Sequence, residues 1–343
     1  MPKRETNSFG ISIEPTWNLG HSISLAKLAE KHGFSNVWVP DGGPASPFSD
    51  SIVTLATIAA STSKIKFGSS ILNFYTRNPA QIASSFLALS DLGSIGNASC
   101  QRAILGIGVG SDYNVSKFGI FARQGMIVQL REAIESIQEL FSGKEVSVRT
   151  DSFSIERVTL SKSKRKIPIY IGSQSPKGLK LAGEIADGVI LTQRIASRVE
   201  DSLRHITFGL NSASRKRRDI QVINSAVISV ARDKARAQNA AKTACTYLVA
   251  WLDDEIVREY EIDAVAKKKI TQFLNNGDEI SASRLVDKEM LELLTICGTP
   301  EECVEKCKEH LRYGVDQIAF CEPYGPDPKN AIQIIARNII PRL

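Results

Sequence analysis

The chain has 343 residues, 43% of them hydrophobic and 23% charged, with a net charge of +6, the balance of a globular protein with a sizeable core. No apolar run approaches the roughly 18 residues that a bilayer-spanning helix needs, so a membrane-spanning helix is excluded. The basic excess lies in Ser161–Lys166 and Ser214–Arg218, whose lack of interleaved aromatic residues favours solvated loops over a nucleic-acid interface.

The six cysteines contain no CxxC pair, although Cys303 and Cys307 are spaced to share one helical face. We interpret them as buried free thiols rather than a metal or redox site, which is typical of a reducing cytoplasm. The four histidines likewise have no metal-ligand spacing. The expected location is therefore cytoplasmic, with no metal.

Hydrophobic periodicity predicts strands that alternate with helices along the chain. The predicted strands are Ser8–Pro15, Asn36–Asp41, Lys64–Asn73, Arg102–Gly110, Ile167–Gly172, Gly188–Gln193, Ile220–Ala231 and Asp316–Cys321. The predicted helices are His21–Gly33, Ser51–Ser61, Ala80–Leu92, Gly125–Phe141, Pro176–Ile185, Glu301–Arg312 and Lys329–Ile340.

The strands are apolar on both faces, as in a parallel sheet covered by helices, and eight strand–helix units predict a (β/α)8 barrel. A doubly wound open sheet is the structural alternative. Glu145–Leu160 predicts a small hairpin before the fifth strand, and Asp233–Arg284 a helical insertion after the seventh. We expect one domain over residues 1–343.

In such a barrel the chemistry lies at the carboxyl ends of the strands. These ends fall at Ser12–Glu14, Pro40–Gly43, Ser70–Asn73, Gly106–Asn114, Gly172–Lys177 and Leu191–Arg194. They are the segments in which functional residues are sought.

The end of the fifth strand has the features of a phosphate site. Ser173, Gln174 and Ser175 bring hydroxyl, amide and backbone donors to a helix N-terminus that begins at Pro176, where partial positive charge favours an anion. Lys177 adds a cation, and Gly178 is expected to let a ligand approach the backbone. The alternative is a simple helix cap by Ser175.

The end of the fourth strand, "LGIGVGSDYN", has G-x-G-x-G spacing and lacks the third glycine of a dinucleotide fingerprint. We expect its glycines to let a flat ring lie against the backbone, with Asp112 and Asn114 as polar contacts. Asp41, after the second strand, is either a turn residue or a hydrogen-bonding partner of a ligand. Arg77 is either a surface cation, which we favour, or a carboxylate anchor.

No serine nucleophile elbow or HExxH motif is present in the sequence, so it offers no catalytic residues for a hydrolase. A phosphate site and a flat polar ring at one rim favour a flavin-type cofactor, which supplies the redox chemistry itself.

Five segments in order resemble the superfamily of luciferase-like flavin and deazaflavin oxidoreductases. They are "FGISIEP", "LAEKHGFSNVWVPD", "STSKIKFGSSILNFYTRNPAQIA", "ILGIGVGSDYNVSKFG" and "IPIYIGSQSPKGLKLAGEIADGVILT". Within it the sequence is most similar to the methylenetetrahydromethanopterin reductases, which use the deazaflavin coenzyme F420. The resemblance covers residues 8–195 well and the second half in layout only.

This resemblance implies a (β/α)8 barrel in which Asp41 contacts the deazaflavin head group and Asn73 and Asn114 line its ring. It also implies a non-proline cis peptide at Ser70-Ile71 behind the ring. The residues implied to hold the phosphate are Ser173, Gln174, Ser175, Lys177 and Gly178.

Three departures concern the acid–base residues of the family. Gly42 stands where deazaflavin enzymes usually carry His, and Ser111 stands where relatives carry an acidic residue, with Asp112 one place on. Ser12 replaces a Glu of the first strand, while Glu14 follows two residues later on the same face. Glu14, Asp41 and Asp112 are therefore the candidates for catalytic proton transfer.

The resemblance predicts an F420-dependent oxidoreductase that moves a hydride between reduced deazaflavin and a pterin-bound one-carbon unit, so the expected partner is a small molecule such as a tetrahydropterin. The alternatives are an FMN-dependent luciferase-like monooxygenase and, because of the three departures, a non-catalytic cofactor-binding barrel. The family also implies a homodimer or higher homo-oligomer formed through barrel helices.

Overall fold

A computed structural model describes residues 7–42, 48–95, 101–121, 124–160 and 166–343. Gly43, Cys100 and residues 161–165 of the first basic run lie outside the described residues. The strands are β1 Ser8–Ser12, β2 Asn36–Val39, β3 Lys66–Ser69, β4 Leu72–Asn73, β5 Ala103–Gly108, β6 Val146–Arg149, β7 Ser154–Val158, β8 Ile169–Gly172, β9 Gly188–Thr192, β10 Gln221–Val230, β11 Ile296–Gly298 and β12 Gln317–Tyr324.

Helices follow most of these strands. They are α1 Leu19–Lys31, α2 Ser51–Ser61, α3 Pro79–Gly93, α4 Asp112–Ser116, α5 Met126–Phe141, α6 Pro176–Ile185, α7 Val199–Ser212, α8 Lys234–Ala250, α9 Asp254–Glu259, α10 Ala264–Asn275, α11 Glu279–Arg284, α12 Lys288–Leu294, α13 Pro300–Arg312 and α14 Pro328–Ile334, which continues as a π-helix over Ile335–Ile339. Within the described ranges, no helix is long and apolar enough to cross a membrane.

The sheet follows the order β1-β2-β3-β5-β8-β9-β10-β12 and returns to β1, so the eight predicted strands form a closed barrel. Neighbours are parallel, with Ser12 opposite Trp38 and Gly106 opposite Tyr170. β2 and β5 are buried at every position, because both of their faces are covered. The prediction of a (β/α)8 barrel rather than an open sheet is confirmed.

Contacts along the chain divide it into two compact units. The major unit comprises residues 10–192 and 200–223, and the minor unit comprises residues 7–9, 193–199 and 224–343 among those described. The expectation of one domain over residues 1–343 stays a prediction.

In the major unit, a buried arginine ties the start of β5 to its surroundings. Arg102 is 2% exposed and donates to the carbonyl oxygens of Gly93 at 2.7 Å, Ala59 at 2.8 Å and Ile65 at 3.1 Å. These carbonyls belong to the ends of α2 and α3 and to the entry of β3, so one guanidinium satisfies backbone groups from three segments. The arginine thereby fixes the ends of two helices against the strands that carry the site.

The predicted hairpin before β8 is also confirmed. β6 and β7 pair antiparallel, and Phe153 contacts Phe74 edge to face with ring centroids 6.3 Å apart. Asn78 donates to Ser154 O at 3.0 Å. The hairpin therefore packs against the segment between β4 and α3, which contributes to the cavity described below.

In the minor unit, α8 to α12 form the predicted helical insertion after β10. Its core contains Ala241, Cys245, Ile270, Met290 and Cys297. The insertion runs further than predicted, since α12 and the short strand β11 follow Arg284. β11 escaped prediction because its three residues, Ile-Cys-Gly, are too few to show any periodicity.

The five described cysteines are free, and four of them are buried as predicted. Cys245, Cys297, Cys303 and Cys307 are buried free thiols, and Cys321 is partly buried. Burial raises the pKa of Cys245 and Cys303 to about 12, so neither forms a thiolate at neutral pH. Across the described ranges, no group of His, Cys, Asp and Glu could hold a metal ion.

Candidate active site

A cavity of about 170 Å³ lies in the major unit, next to the carboxyl ends of β2, β4 and β5. β2 pairs with β3, and β5 pairs with both β3 and β4, so the segments after these strands are neighbours. The residues that line the cavity are Asp41, Gly42, Asn73, Thr76, Arg77, Asn114 and Phe118. Three of the predicted site residues, Asp41, Asn73 and Asn114, are thus brought together.

Asp41 is the buried carboxylate of this cavity, with 4% of its side chain exposed. Ser51, the first residue of α2, donates to Asp41 Oδ1 at 2.8 Å, and Arg77 Nη2 lies 3.8 Å from the same oxygen. Burial raises the pKa of Asp41 and outweighs the opposing effects of Ser51 and Arg77. Asp41 can therefore hold a proton at a higher pH than an exposed aspartate does.

The expectation that Arg77 is a surface cation is wrong, because the side chain is only partly exposed and lines the cavity. Its side chain is 27% exposed, and Nη2 donates to Asp50 Oδ2 at 2.6 Å in an ion pair. Its Nε is buried and has no hydrogen-bond partner in the described part of the chain. A buried donor without a partner costs about 1–3 kcal/mol, so Arg77 carries an unmet donor beside the cavity.

Asn73 is oriented by the turn that follows β4. Its Oδ1 accepts hydrogen bonds from the backbone N–H groups of Tyr75 at 3.1 Å and Thr76 at 2.9 Å, and from Thr76 Oγ1 at 3.1 Å. Because the oxygen is fully used, the amide nitrogen is the group of Asn73 that remains for a ligand. Asn114 lies in the short helix α4, where its backbone N–H donates to Ser111 Oγ at 3.2 Å.

The peptide Ser70-Ile71 is cis, as the resemblance implied. Gly106 and Gly108 do not act as expected, since their missing side chains make room for the protein itself rather than for a ring, and the same is true of Gly172. A β-carbon on Gly172 would lie 2.6 Å from Ile71 Cγ2, one on Gly108 would lie 2.8 Å from Ile71 Cδ1, and one on Gly106 would overlap Ser69 O. These glycines seat the Ser70-Ile71 segment between β5 and β8.

The N-terminus of α6 is capped by its own serines. Ser175 Oγ accepts from Gly178 N at 3.2 Å, and Ser173 Oγ accepts from Ser175 N at 3.2 Å. A β-carbon on Gly178 would overlap Ser173 Oγ, so Gly178 makes room for Ser173 and not for a ligand, contrary to expectation. Gln174 donates to Thr192 O at 2.7 Å, whereas Lys177 is exposed.

Two of the three acid–base candidates do not line the cavity. Glu14 is exposed, two residues beyond the end of β1, and Asp112 is exposed at the first position of α4. Ser12 is 8% exposed. Among the candidates, Asp41 alone combines burial, a raised pKa and a place at the cavity.

Thr76 and Phe118 were missed by the sequence reasoning. Thr76 had a signal, since an Asn three residues before a Thr in "NFYT" is the pattern of an Asx turn. Phe118 follows α4 and is 44% exposed, and nothing in the sequence distinguishes it from other exposed aromatic residues.

Comparison with known proteins gives consistent matches over nearly the whole chain. The family described as luciferase-like monooxygenase matches residues 8–317. The 5,10-methylenetetrahydromethanopterin reductase of Methanolobus tindarius is 33% identical over 97% of this chain and 99% of its own. The enzyme of the same name from Archaeoglobus fulgidus is 32% identical over 98% of this chain and 99% of its own.

A solved structure gives the same result for the fold. The coenzyme F420-dependent tetrahydromethanopterin reductase from Methanopyrus kandleri superposes with a TM-score of 0.89 at 29% identity. The match covers 98% of this chain and 99% of that chain. Both units of the present chain are therefore included in the resemblance.

Proposed function

The chain belongs to the luciferase-like monooxygenase family, and we propose that it is a coenzyme F420-dependent oxidoreductase that transfers a hydride between reduced deazaflavin and a pterin-bound one-carbon unit. The observation that carries this proposal is the near full-length similarity to reductases of that name. The departures at Gly42, Ser111 and Ser12 do not remove the carboxylate at the cavity, because Asp41 remains.

The hydrogen-bonding groups of the cavity are complementary to those of a flavin-type ring. Such a ring carries carbonyl oxygens and a ring N–H, and the cavity supplies a buried N–H at Arg77, an amide N–H at Asn73 and a carboxyl group at Asp41. Phe118 adds an aromatic wall. In this proposal these residues and Asn114, together with Ser70 and Ile71, would hold the ring, and the bound coenzyme would supply the hydride.

The protein's own residues have separate tasks in this proposal. Arg77 Nε donates to a ring or substrate oxygen, which satisfies the buried donor. Asn73 fixes the orientation of that group, because its own amide is locked by the turn of Tyr75 and Thr76. Asp41 holds or releases the proton that accompanies reduction, since its raised pKa brings its titration closer to neutral pH.

A titration of the purified protein with F420 and, separately, with FMN tests the choice of cofactor. We expect F420 to produce a saturable change in its visible absorbance at micromolar concentrations, and FMN to bind much more weakly. Tight binding of FMN without binding of F420 would contradict the proposal and favour the monooxygenase alternative. Binding of F420 with no turnover on any pterin would favour the non-catalytic barrel.

The cofactor's phosphate is proposed to lie at Ser173, Gln174, Ser175 and Lys177. The helix cap there uses the N–H of Gly178, and one of the Ser173 and Ser175 hydroxyls donates to the other, which leaves the Lys177 ammonium and one hydroxyl for the anion.

Replacing Lys177 and Ser175 together with alanine is expected to weaken F420 binding by about tenfold to a hundredfold, because the loss is dominated by one charge-assisted hydrogen bond, worth about 1.5–3 kcal/mol. Lys180→Ala, one turn along the same helix, is the matched control and should leave the affinity unchanged. Equal affinity in the double variant and the wild type would place the phosphate elsewhere.

A further inference from the structure

A second cavity, of about 210 Å³, lies in the minor unit and shares no lining residue with the cavity around Asp41. Its walls come from the segment that follows β9, the junction of α12 with β11, and the second half of α13. A cavity of this volume has room for a small molecule.

His310 of α13 borders this cavity although it is only 8% exposed. Asn224 Nδ2 lies 3.0 Å from His310 Nδ1, and the orientation of the Asn224 amide is fixed because its Oδ1 accepts from the backbone N–H of Arg194 at 3.0 Å. Nδ2 must then be the donor and His310 Nδ1 the acceptor, which places the ring proton on Nε2. Burial, reinforced by Lys306, lowers the pKa of His310 to about 4, so the ring is neutral at neutral pH.

The Nε2–H of His310 makes no hydrogen bond within the described residues, and it is not among the enclosed donors without a partner, so it is open to the cavity. A donor that solvent reaches bonds to water until a ligand with an acceptor displaces that water. Since the ring lines the cavity, the oxygen of a ligand there can accept from His310 Nε2.

Lys306 provides a positive charge in the same wall. Its Nζ donates to the carbonyl oxygens of Thr295 at 2.8 Å and Glu292 at 2.9 Å, so it is held at the C-terminal end of α12. An ammonium group has three protons, which leaves one for a ligand. Lys306 and His310 are one turn apart on α13, so their donors face the same side.

The remaining lining groups restrict the kind of anion. Glu292 and Glu309 also border the cavity and are exposed, which disfavours ligands with two or more negative charges. Ala226, Leu294 and Ile296 provide apolar wall for a short hydrocarbon body.

We propose that this cavity binds a short-chain monocarboxylate, whose oxygens accept hydrogen bonds from His310 Nε2 and Lys306 Nζ. The site is separate from the redox chemistry proposed above, and binding there does not depend on which cofactor the protein uses.

The full-length protein is titrated with butyrate while the imidazole signals of its histidines are followed by NMR. We expect a saturable shift of the His310 signals with a millimolar dissociation constant, ordinary for so small a ligand. Butyramide, the neutral isostere, and succinate, the dianion, should each bind at least tenfold more weakly. Absence of a saturable His310 shift, or equal binding of butyramide or succinate, would overturn the proposal.

Substitution of Lys306 provides a second test of the butyrate site. Lys306→Met should weaken butyrate binding at least tenfold, whereas Lys308→Met, on the same helix and paired with Glu305, should bind as the wild type does. An equal loss in both variants, or no loss in either, would overturn the assignment of Lys306. Because Lys306 also holds the end of α12, the comparison of butyrate with butyramide in the unmodified protein stands even if Lys306→Met does not fold.

Discussion

Asp41→Asn is expected to lower kcat/KM of the F420-dependent reaction by about 10²–10⁴-fold, the usual contribution of a positioned acid or base. Asparagine keeps the size of the side chain and still accepts a hydrogen bond from Ser51, so the cavity is preserved. The variant cannot hold or release a proton at this position. The measurement is steady-state kinetics of both proteins with reduced F420 and the pterin substrate.

Comparison of Asp41→Asn with Asp112→Asn and Glu14→Gln distinguishes the three acid–base candidates. The side chains of Asp112 and Glu14 are exposed and neither lines the cavity, so their variants should retain activity within a few-fold of the wild type. A loss at Asp112 or Glu14 that matches the loss at Asp41 would contradict the assignment of proton transfer to Asp41.

The raised pKa of Asp41 also predicts how stability depends on pH. An acid whose pKa is higher in the folded state binds its proton more tightly there, so its contribution to stability is fully present below the ordinary value of 3.8 and is lost as pH rises through the folded-state pKa. Asp41→Asn should therefore be more stable than the wild type at neutral pH, with the difference vanishing in acid. Thermal unfolding of both proteins across this pH range measures it.

Gly172→Ala is expected to destabilise the protein by about 1–3 kcal/mol, the usual cost of inserting a methyl group into a filled space. The new β-carbon would lie 2.6 Å from Ile71 Cγ2, and a β-branched side chain has little freedom to move aside. Denaturant unfolding measures the loss, and F420 affinity should fall with it because Ile71 is proposed to help hold the ring.

A second substitution tests whether the contact with Ile71 is the cause. Adding Ile71→Ala removes the clashing methyl groups, so the double variant should lose less stability than the sum of the two single variants, by about 0.5–3 kcal/mol. Gly20→Ala, on an exposed turn of α1, is the matched control and should be nearly neutral. Strict additivity at Gly172 and Ile71 would show that the glycine serves another purpose.

Much of the fold follows from local patterns in the sequence. The strands that became β1, β2, β5 and β8 are short apolar runs with turn residues at both ends, and α2 and α6 begin and end where their spacing predicts. What local patterns do not contain is β11, which is three residues long and is defined by its pairing with β10.

The position of the site along the chain was predictable from the sequence, but the contacts between its residues were not. Asp41 is recognisable because a polar residue follows an apolar strand, and strand ends of a barrel share one rim. Its burial, its bond to Ser51 and its nearness to Arg77 depend on residues 10 and 36 positions away in the chain, which no local pattern joins. The same holds for Gly172, whose neighbour Ile71 lies between β3 and β4, far away in the chain.

The most direct test of the central claim is the transfer of hydride itself. Purified protein is mixed with reduced F420 and a methylene-tetrahydropterin, and the appearance of oxidised F420 is followed by its visible absorbance together with formation of the methyl-pterin product. We predict stoichiometric formation of both products, with a rate that falls by about 10²–10⁴-fold in Asp41→Asn. No transfer from F420 bound to the wild-type protein, or activity that requires FMN and molecular oxygen instead, would contradict the account.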